Sequence, residues 1–264
     1  MKKLLSSLIV CVFLFTGCGS VPITGRRQVM LVSEQEVLSA SLTQYNQFIN
    51  TAKKSANAAQ TAQVVRVGKK IAAATEEYLK ANGLANETSN FSWAFNLVSD
   101  PQVNGFCMPG GKIVIYEGLM KIIASDDELA VVMGHEVAHA VAKHSNERMS
   151  QQVLTQYGAA ILSQAVSKKS AAVQTAANTI YGLGSEVGVI LPFSRTHELE
   201  ADYMGLVLMT MAGYNPSTAV NFWQKMAANS AGGTPEFLST HPSDSRRISD
   251  IQKYLPELEK FKKK

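Results

Sequence analysis

Residues 126–144 read DDELAVVMGHEVAHAVAKH and contain a His-Glu-x-x-His pattern. His135 and His139 are four residues apart, so on a helix their side chains lie on one face, about 40° apart in rotation and about 6 Å apart along the axis. Two imidazoles in this arrangement can bind one zinc ion, and Glu136 beside the first can reach water at the metal. A carboxylate is a suitable base for water whose pKa zinc has lowered to about 7.

The surrounding residues predict a buried helix with one polar face. Ser125 and Glu128 form a capping-box pattern, and the acidic residues between them suit the positive end of the helix dipole. From Leu129 to Ala142 nearly every residue outside the motif is apolar. His144 is predicted on the opposite face, as a hydrogen-bonded histidine near the helix end and not as a ligand. Two core histidines that share a helix by chance are the alternative, but a polar face on an apolar helix favours a metal site.

A zinc site on this helix needs a third protein ligand. The extended motif with a further histidine six residues after the second is absent, because that position is Ser145. In the segment SRTHELEAD, residues 194–202, Glu198 and Asp202 share a helical face. We therefore expect Glu198 to be the third ligand and Asp202 to fix the tautomer of a ligand imidazole. Glu200 points elsewhere and is predicted to be a solvated or ion-paired surface residue, and an ordinary acidic helix start is the alternative for the whole segment.

These two segments and two others resemble the gluzincin metallopeptidases of the HtpX and CAAX-prenyl-protease type, which include periplasmic lipoproteins. NGFCMPGGKIVIY, residues 104–116, resembles the part that precedes the active helix in that family, and Thr240-His241-Pro242 followed by Arg246 resembles a late histidine motif. The resemblance covers roughly residues 91–255. It implies an α+β fold, a mostly helical zincin-like metalloprotease domain with a small β-sheet beside the active-site helix.

The resemblance also implies roles for the site residues. His135, His139 and Glu198 would hold one Zn2+ ion per chain. Glu136 would be the general base of a zinc-dependent endopeptidase. His241 would donate to the developing oxyanion or, as in some relatives, would occupy the open metal position and hold the enzyme latent.

An edge strand just before the active helix pairs with extended substrates in proteins of this type. We expect four residues to form this substrate edge: Asn104, Phe106, Gly110 and Gly111. Arg246 would steady the site or its neighbours. Unfolded or extended polypeptides would be the substrates, and cleavage of misfolded or damaged cell-envelope proteins the implied function. Core strands without substrate contact are the alternative.

Two other functions remain open from the sequence. A non-catalytic zinc-containing chaperone or binding protein is one, although a closed structural site has no need of a base such as Glu136. An enzyme with a single narrow target is the other. The formal net charge of +4 and the lack of a basic patch with interleaved aromatic residues predict no nucleic-acid partner.

The start of the chain predicts a processed, lipid-anchored protein. Two lysines precede apolar residues 4–15, a length typical of a signal peptide and shorter than the roughly 20 residues of a spanning helix. LFTGC, residues 14–18, resembles a bacterial lipobox, so we expect residues 1–17 to be removed and Cys18 to carry lipid. Plain secretion with cleavage nearby is the alternative. These features predict a periplasmic location, anchored to a membrane and with the outer membrane as the expected one.

Beyond the anchor, residues 18–32 are predicted to be a tether and residues 33–264 a single metallopeptidase domain. Residues 146–191, rich in Ala, Ser, Gln and Gly, could be a flexible lid or a helical hairpin packed on the core. Cys107 would be the sole remaining cysteine, and no role is assigned to it. Start and stop signals predict helices at 33–54, 57–80, 126–142, 197–212, 216–229 and 243–254, and strands at 91–98 and 112–116.

Overall fold

The computed structural model describes residues 18–163, 194–229, 236–241 and 245–262 of the 264-residue chain. The side chains of Cys18, residues 154–163, Glu236, Ser245 and Arg246 are outside the described part. The predicted signal peptide and most of the predicted lid also lie outside the described residues, and both stay predictions.

Helices make up most of the described chain. The α-helices are α1 (Glu34–Thr51), α2 (Ala58–Ala81), α3 (Glu117–Met120), α4 (Asp126–Val141), α5 (His144–Ser163), α6 (Arg195–Met211), α7 (Thr218–Ala228), α8 (Glu236–Thr240) and α9 (Ser245–Tyr254). Short 3-10 helices occupy Ala85–Asn90 and Leu255–Phe261, and the strands are β1 (Cys18–Ser20), β2 (Arg27–Val29), β3 (Ala94–Val98), β4 (Gly105–Met108) and β5 (Lys112–Tyr116). The predicted α+β, zincin-like class is confirmed. Among the described residues, none of the helices combines the length and apolar character needed to span a membrane.

Three strands form a small sheet beside α4. The central strand is β5, which pairs in parallel with β3 and antiparallel with β4, in the order β3-β5-β4. The sequence predicts β3 and β5 but not β4, because turn signals at Asn104-Gly105 and Pro109-Gly110-Gly111 leave too few residues to identify a strand. Pairing with β5 makes this short stretch a strand.

The sheet separates two hydrophobic cores. Ile113 and Ile115 point into the larger core, which includes side chains of α2, α4, α6 and α7. Val114 and Tyr116 point into the smaller core with side chains of α1 and the first turns of α5. Side chains alternate along a strand, so β5 supplies both cores and is buried throughout. Each large apolar side chain that becomes fully buried stabilises the folded state by roughly 1.5–3 kcal/mol relative to an exposed one.

Nearly all of α4 is buried, and its start is fixed by a cap. Ser125 accepts the backbone N–H of Glu128, as the capping pattern predicts. The Glu128 carboxylate, however, accepts the Ala124 N–H and pairs with Lys225 of α7. Half of the capping box is therefore replaced by a tertiary ion pair that ties α7 to the start of α4.

Two glycines bring the backbones of α4 and α6 into direct contact. A Cβ atom on Gly134 would lie 2.8 Å from the Gly205 carbonyl oxygen, and one on Gly205 would lie 2.7 Å from the His135 backbone nitrogen. Both distances are shorter than van der Waals contact, and backbone atoms in a packed core cannot move aside. The crossing places Glu198, in the first turn of α6, beside the histidines of α4.

The segment predicted as a tether, residues 18–32, is folded onto the domain in the structure. Strands β1 and β2 pair as an antiparallel hairpin. Val21 is buried against the larger core, and Arg26 forms ion pairs with Glu147 of α5 and Glu200 of α6. The partners are distant in sequence, so local composition could not reveal that this segment is held to the domain.

The Gly205→Ala variant tests the helix crossing. Helix propensity alone would stabilise the variant by up to about 1 kcal/mol. We expect instead a net loss of roughly 1–3 kcal/mol, because the added methyl group overpacks the backbone contact with α4. Urea unfolding of the metal-free protein measures the change, and a variant more stable than the wild type would contradict the crossing.

Candidate metal centre

The three predicted metal ligands come together between α4 and α6. The Nε2 atoms of His135 and His139 are 3.1 Å apart. Glu198 lies with Oε2 at 3.4 Å from His135 Nε2 and Oε1 at 3.4 Å from His139 Nε2. All three side chains are buried. The i, i+4 spacing on α4 and the close helix crossing together account for this arrangement.

The separations fit a zinc ion. Ligand atoms about 2.0–2.1 Å from a tetrahedral metal lie about 3.3–3.4 Å from one another, close to the 3.1–3.4 Å between these three side chains. Two imidazoles and a carboxylate are a donor set that zinc binds in catalytic sites. Burial lowers the pKa of His139 well below its usual value, which leaves its imidazole neutral and able to bind a cation.

His241 lies beside the three predicted ligands. Its Nδ1 is 3.2 Å from His135 Nε2 and 3.1 Å from Glu198 Oε1, and ligand atoms of all four residues lie within 4.8 Å of one another. The backbone of His241 continues α8 by donating to the Phe237 carbonyl, and the two rings are 4.8 Å apart. His241 is therefore close enough to the other three residues to be a fourth ligand of the same ion.

Glu136, next to His135 on α4, lies between the same centre and strand β4. Its Oε2 accepts the Cys107 backbone N–H at 3.0 Å. Its Oε1 is buried without a hydrogen-bond partner among the described residues, 3.3 Å from His241 Nε2. A buried oxygen that has this ion-pair contact but no hydrogen bond is costly, and it suits a carboxylate that binds a reactant or lies beside a cation. Burial raises the pKa of Glu136 to about 7, against the opposing effect of His241, and this value suits a proton acceptor.

Asp202 lies behind His135, where the sequence predicts an acceptor for a ligand imidazole. His135 Nδ1 donates to Asp202 Oδ1 at 3.1 Å, which leaves Nε2 free to face the metal position. Arg247 holds Asp202 through two hydrogen bonds, lies 3.2 Å from Glu198 and stacks 3.8 Å from the Trp223 ring centroid. One buried guanidinium thus compensates two buried carboxylates.

Arg247, and not the predicted Arg246, is the arginine that the structure places on Asp202. The side chain of Arg246 lies outside the described residues. Arg247 and Ile251 are four apart on α9 and are both buried, so they share its inner face. That spacing was a usable signal, because it places Arg247 on the same face as an apolar core residue.

The strand next to α4 is β4, and only alternate residues on it face the site. The Asn104 carbonyl accepts the Tyr116 N–H, within the ladder to β5, whereas the Cys107 N–H points away to Glu136. Main-chain groups alternate in direction along an antiparallel strand. Gly105 and Cys107 therefore direct their main-chain groups away from β5.

The four residues predicted as the substrate edge have other roles. Phe106 is buried in the smaller core, with its ring 5.4 Å from that of Phe48. Asn104 is buried and paired to β5. Gly110 and Gly111 adopt φ values of +86° and +76° in the β4–β5 turn, which L side chains rarely tolerate. Pairing with β5 sets which residues of β4 face outward, and these are Gly105 and Cys107.

His144 and Glu200 also differ from expectation. Lys143 adopts φ +57°, so α4 ends and the chain turns His144 back toward His139 instead of placing it on the far face. Glu200 is ion-paired but buried. Burial lowers the pKa of His144 to about 4. Burial would raise the pKa of Glu200, but hydrogen bonds from His144, Thr24 and other partners lower it to about 2. A neutral imidazole therefore faces an ionised carboxylate.

The Arg247→Leu variant tests the charge balance of the centre. Removal of the guanidinium leaves Asp202 and Glu198 without their buried cation, so we expect a loss of about 3–5 kcal/mol in the free energy of unfolding. Arg66→Leu is the matched control, since its ion pair with Asp126 is exposed and is worth about 0–1 kcal/mol. Urea unfolding of both metal-free variants measures the difference, and equal losses would contradict this account.

The sequence of this chain aligns with those of several known proteins. The mitochondrial metalloendopeptidase OMA1 of Schizosaccharomyces pombe is 37% identical over 171 residues, which cover 64% of this chain and 48% of that protein. The metalloendopeptidase OMA1 of Bos taurus is 28% identical over 263 residues, covering 97% and 49%. The beta-barrel assembly-enhancing protease of Yersinia pestis is 31% identical over 167 residues, covering 60% and 33%. The chain spans about half or less of the length of these relatives.

The predicted location is wrong on these comparisons. Relatives from Schizosaccharomyces pombe, Arabidopsis thaliana and Homo sapiens are each named mitochondrial metalloendopeptidases, which contradicts a periplasmic protein anchored to an outer membrane. The prediction depended on residues 1–18, and a short apolar segment followed by a small residue and a cysteine does not by itself specify a compartment.

Residues 58–255 match peptidase family M48. The matched range contains α4, α6 and every residue of the candidate metal centre. It confirms the predicted class of enzyme, a metallopeptidase, whereas the finer likeness to the HtpX and CAAX-prenyl-protease type and its lipoprotein branch stays a prediction. With His-Glu-x-x-His on α4 and a buried glutamate brought to it by α6, the chain belongs to peptidase family M48.

Proposed function

We propose that this chain is a zinc-dependent endopeptidase that cleaves unfolded or extended polypeptides. The observation that carries the proposal is the buried cluster of ligand atoms from His135, His139 and Glu198, beside a buried oxygen of Glu136 that has no hydrogen bond among the described residues. The names of the relatives, metalloendopeptidases and a protease, support the same reaction class.

The residues of the site divide the chemical work. Zinc, when bound, supplies a Lewis acid that polarises a peptide carbonyl and acidifies water. Glu136 Oε1 accepts the proton of the attacking water and later passes it to the leaving amine. The Cys107 N–H holds the other oxygen of Glu136, so β4 sets the direction of the base. Asp202 and Arg247 keep His135 Nε2 turned toward the metal position.

The proposed substrate class follows from the position of β4. It is an edge strand next to Glu136, and Gly105 and Cys107 direct main-chain groups away from β5. The Cys107 N–H is donated to Glu136 and the Gly105 N–H to Asn104 Oδ1, so a peptide on this edge would donate to the carbonyl groups of these two residues. An extended peptide that pairs with this edge would be recognised through its main chain, with little selection among side chains. Misfolded or damaged proteins expose such segments and are the natural substrates we propose. The cell-envelope setting is not retained, because the predicted location is contradicted.

We propose that the arrangement with His241 beside the three ligands is a closed resting state. His241 Nδ1 stands within 3.1–3.2 Å of two ligand atoms, and its Nε2 lies 3.3 Å from Glu136 Oε1. The imidazole thus fills the space that water and the scissile carbonyl need. Displacement of α8 would open both the metal position and the base.

The rival function, a non-catalytic zinc-containing chaperone or binding protein, has one observation in its favour. A site closed by four protein ligands is typical of structural zinc. The unpaired oxygen of Glu136 counts against it, since a structural site has no use for a buried base that points at its metal.

Two features of the chain ends stay predictions from the sequence. A lipid on Cys18 would bring the chain to a membrane, and the side chain of Cys18 is outside the described residues. Residues 33–264 would form one metallopeptidase domain, onto which the β1–β2 hairpin packs.

Glu136→Gln separates the enzyme from the binder. We expect the variant to keep its zinc, because Glu136 is not a ligand, and to lose casein cleavage by roughly 100–10,000-fold, because an amide cannot take up the proton. Zinc content and cleavage with and without a chelator are the measurements, and Glu259→Gln, at an exposed residue, is the control. Wild-type protein that binds zinc but leaves casein intact, even after His241→Ala opens the site, would favour the binder.

His241→Ala tests the resting state. If the imidazole blocks the centre, its removal should raise the rate of casein cleavage several-fold, while zinc remains bound by the three other ligands. Cleavage rate and zinc content measured on the same sample give the result. A fall of about tenfold or more with full zinc content would show that His241 assists the reaction and does not block it.

A further inference from the structure

The outer nitrogen of His139 is held in an unusual way. Metal-bound imidazoles commonly donate their second N–H to a carboxylate, a carbonyl or water. Here the Nδ1 of His139 lies 2.8 Å from the Nδ1 of another imidazole, His144, and both rings are buried.

The two rings can satisfy each other in only one arrangement of protons. His139 faces the metal position with Nε2, so its proton is on Nδ1 and is donated to His144 Nδ1. His144 must then carry its own proton on Nε2, which lies 2.9 Å from Glu200 Oε2. The Glu200 side chain accepts this hydrogen bond, so its position selects the tautomers of both histidines.

Glu200 is itself held by the hairpin of β1 and β2. Arg26, in the loop of this hairpin, donates from Nε to Glu200 Oε2 at 2.7 Å, and Thr24 donates to the other oxygen. The remaining nitrogens of Arg26 donate to both oxygens of Glu147 on α5, at 2.7 and 3.1 Å. The guanidinium thus bridges α5 and α6 and fixes Glu200 at the end of the histidine pair.

Glu147 adds a second support to the same pair. It accepts from His197 Nε2 at 2.9 Å, and the ring of His197 stacks on His144 at 4.3 Å with an interplanar angle of 18°. The face of His144 is therefore covered while its two nitrogens are engaged. This leaves the ring little freedom to rotate away from His139.

The two metal imidazoles have matching supports from opposite ends of the chain. His135 is held by Asp202, and Asp202 by Arg247 from α9. His139 is held through His144 by Glu200, and Glu200 by Arg26 from the hairpin. In both cases an arginine fixes a carboxylate that fixes the tautomer.

We propose that the β1–β2 hairpin orients a ligand of the metal centre. Arg26 positions Glu200, and Glu200 orients His144. His144 in turn keeps His139 Nε2 directed toward zinc. Arg26, Glu200 and His144 are positioning residues, since none of them touches the metal position. The proposal rests on the proposed zinc site. The family match covers residues 58–255, and the hairpin, which begins at residue 18, lies outside that range.

A purely structural role makes a different prediction. If the network only fastens the hairpin to α5 and α6, its loss lowers the stability of the metal-free protein but leaves the intrinsic affinity of the folded site for zinc unchanged. If it orients His139, zinc affinity falls even under conditions where the metal-free variant is fully folded. Affinity and stability must therefore be measured separately.

The experiment compares four variants of the full chain with the wild type. His144→Leu removes the acceptor for His139, and His144→Asn keeps an oxygen near the position of Nδ1. Arg26→Met removes the guanidinium at similar length, and Arg27→Met is the matched control, at an exposed arginine in the same hairpin. Zinc affinity is measured by competition with a chromophoric chelator, the Co2+ absorption spectrum reports ligand geometry, and urea unfolding of metal-free protein reports folding.

We expect His144→Leu to bind zinc about 10–100-fold more weakly, the range for loss of a group that supports a ligand. His144→Asn should recover part of this loss. Arg26→Met should weaken binding by up to about tenfold and shift the Co2+ bands, while Arg27→Met matches the wild type. Where His144→Leu does not fold, Arg26→Met and His144→Asn give the result.

The possible failures are distinguishable. If the wild type binds no zinc, both the proposed function and this inference fall. In the other case the wild type binds zinc, and the folded Arg26→Met and His144 variants bind it equally well with unchanged Co2+ spectra. The hairpin contacts then only stabilise the fold, and this inference alone is overturned.

Discussion

The metal centre depends on one contact, the direct meeting of the α4 and α6 backbones at Gly134 and Gly205. No side chain separates the helices there, so the first turn of α6 comes close enough for Glu198 to reach both histidines of α4. Any side chain at the crossing would push the helices apart, and a shift of about 1 Å would exceed the tolerance of a tetrahedral site, whose ligand distances are defined within about 0.2 Å.

That crossing also buries ionised groups inside an apolar core, and the chain compensates for each of them. An unpaired buried charge costs several kcal/mol. Arg247 from α9 compensates Glu198 and Asp202, and Arg26 from the hairpin compensates Glu200. Helices and hairpin that begin far from α4 in the sequence therefore contribute to the same polar cluster. The same contacts therefore stabilise the fold and lie directly behind the candidate metal ligands.

Much of the site could be predicted because its signals are local. Four-residue spacing places His135 with His139 and Glu198 with Asp202, and the structure brings all four side chains together. Most helix limits followed from caps and apolar spacing, as at Ser125. β4, the burial of Glu200 and the folded hairpin were not predicted, because each depends on a partner distant in the chain. Which residues of β4 face away from β5 could not be predicted either, because the pairing with β5 determines this.

Local spacing was enough to specify the reacting groups, because an α-helix converts sequence separation into a fixed angle and distance. Packing in three dimensions set everything that surrounds them. It brought Arg247 to Asp202, turned His144 back toward His139 through the left-handed Lys143, and brought Arg26 to Glu200. These contacts join segments whose proximity is decided by the burial of the whole core, and no short stretch of sequence carries that information.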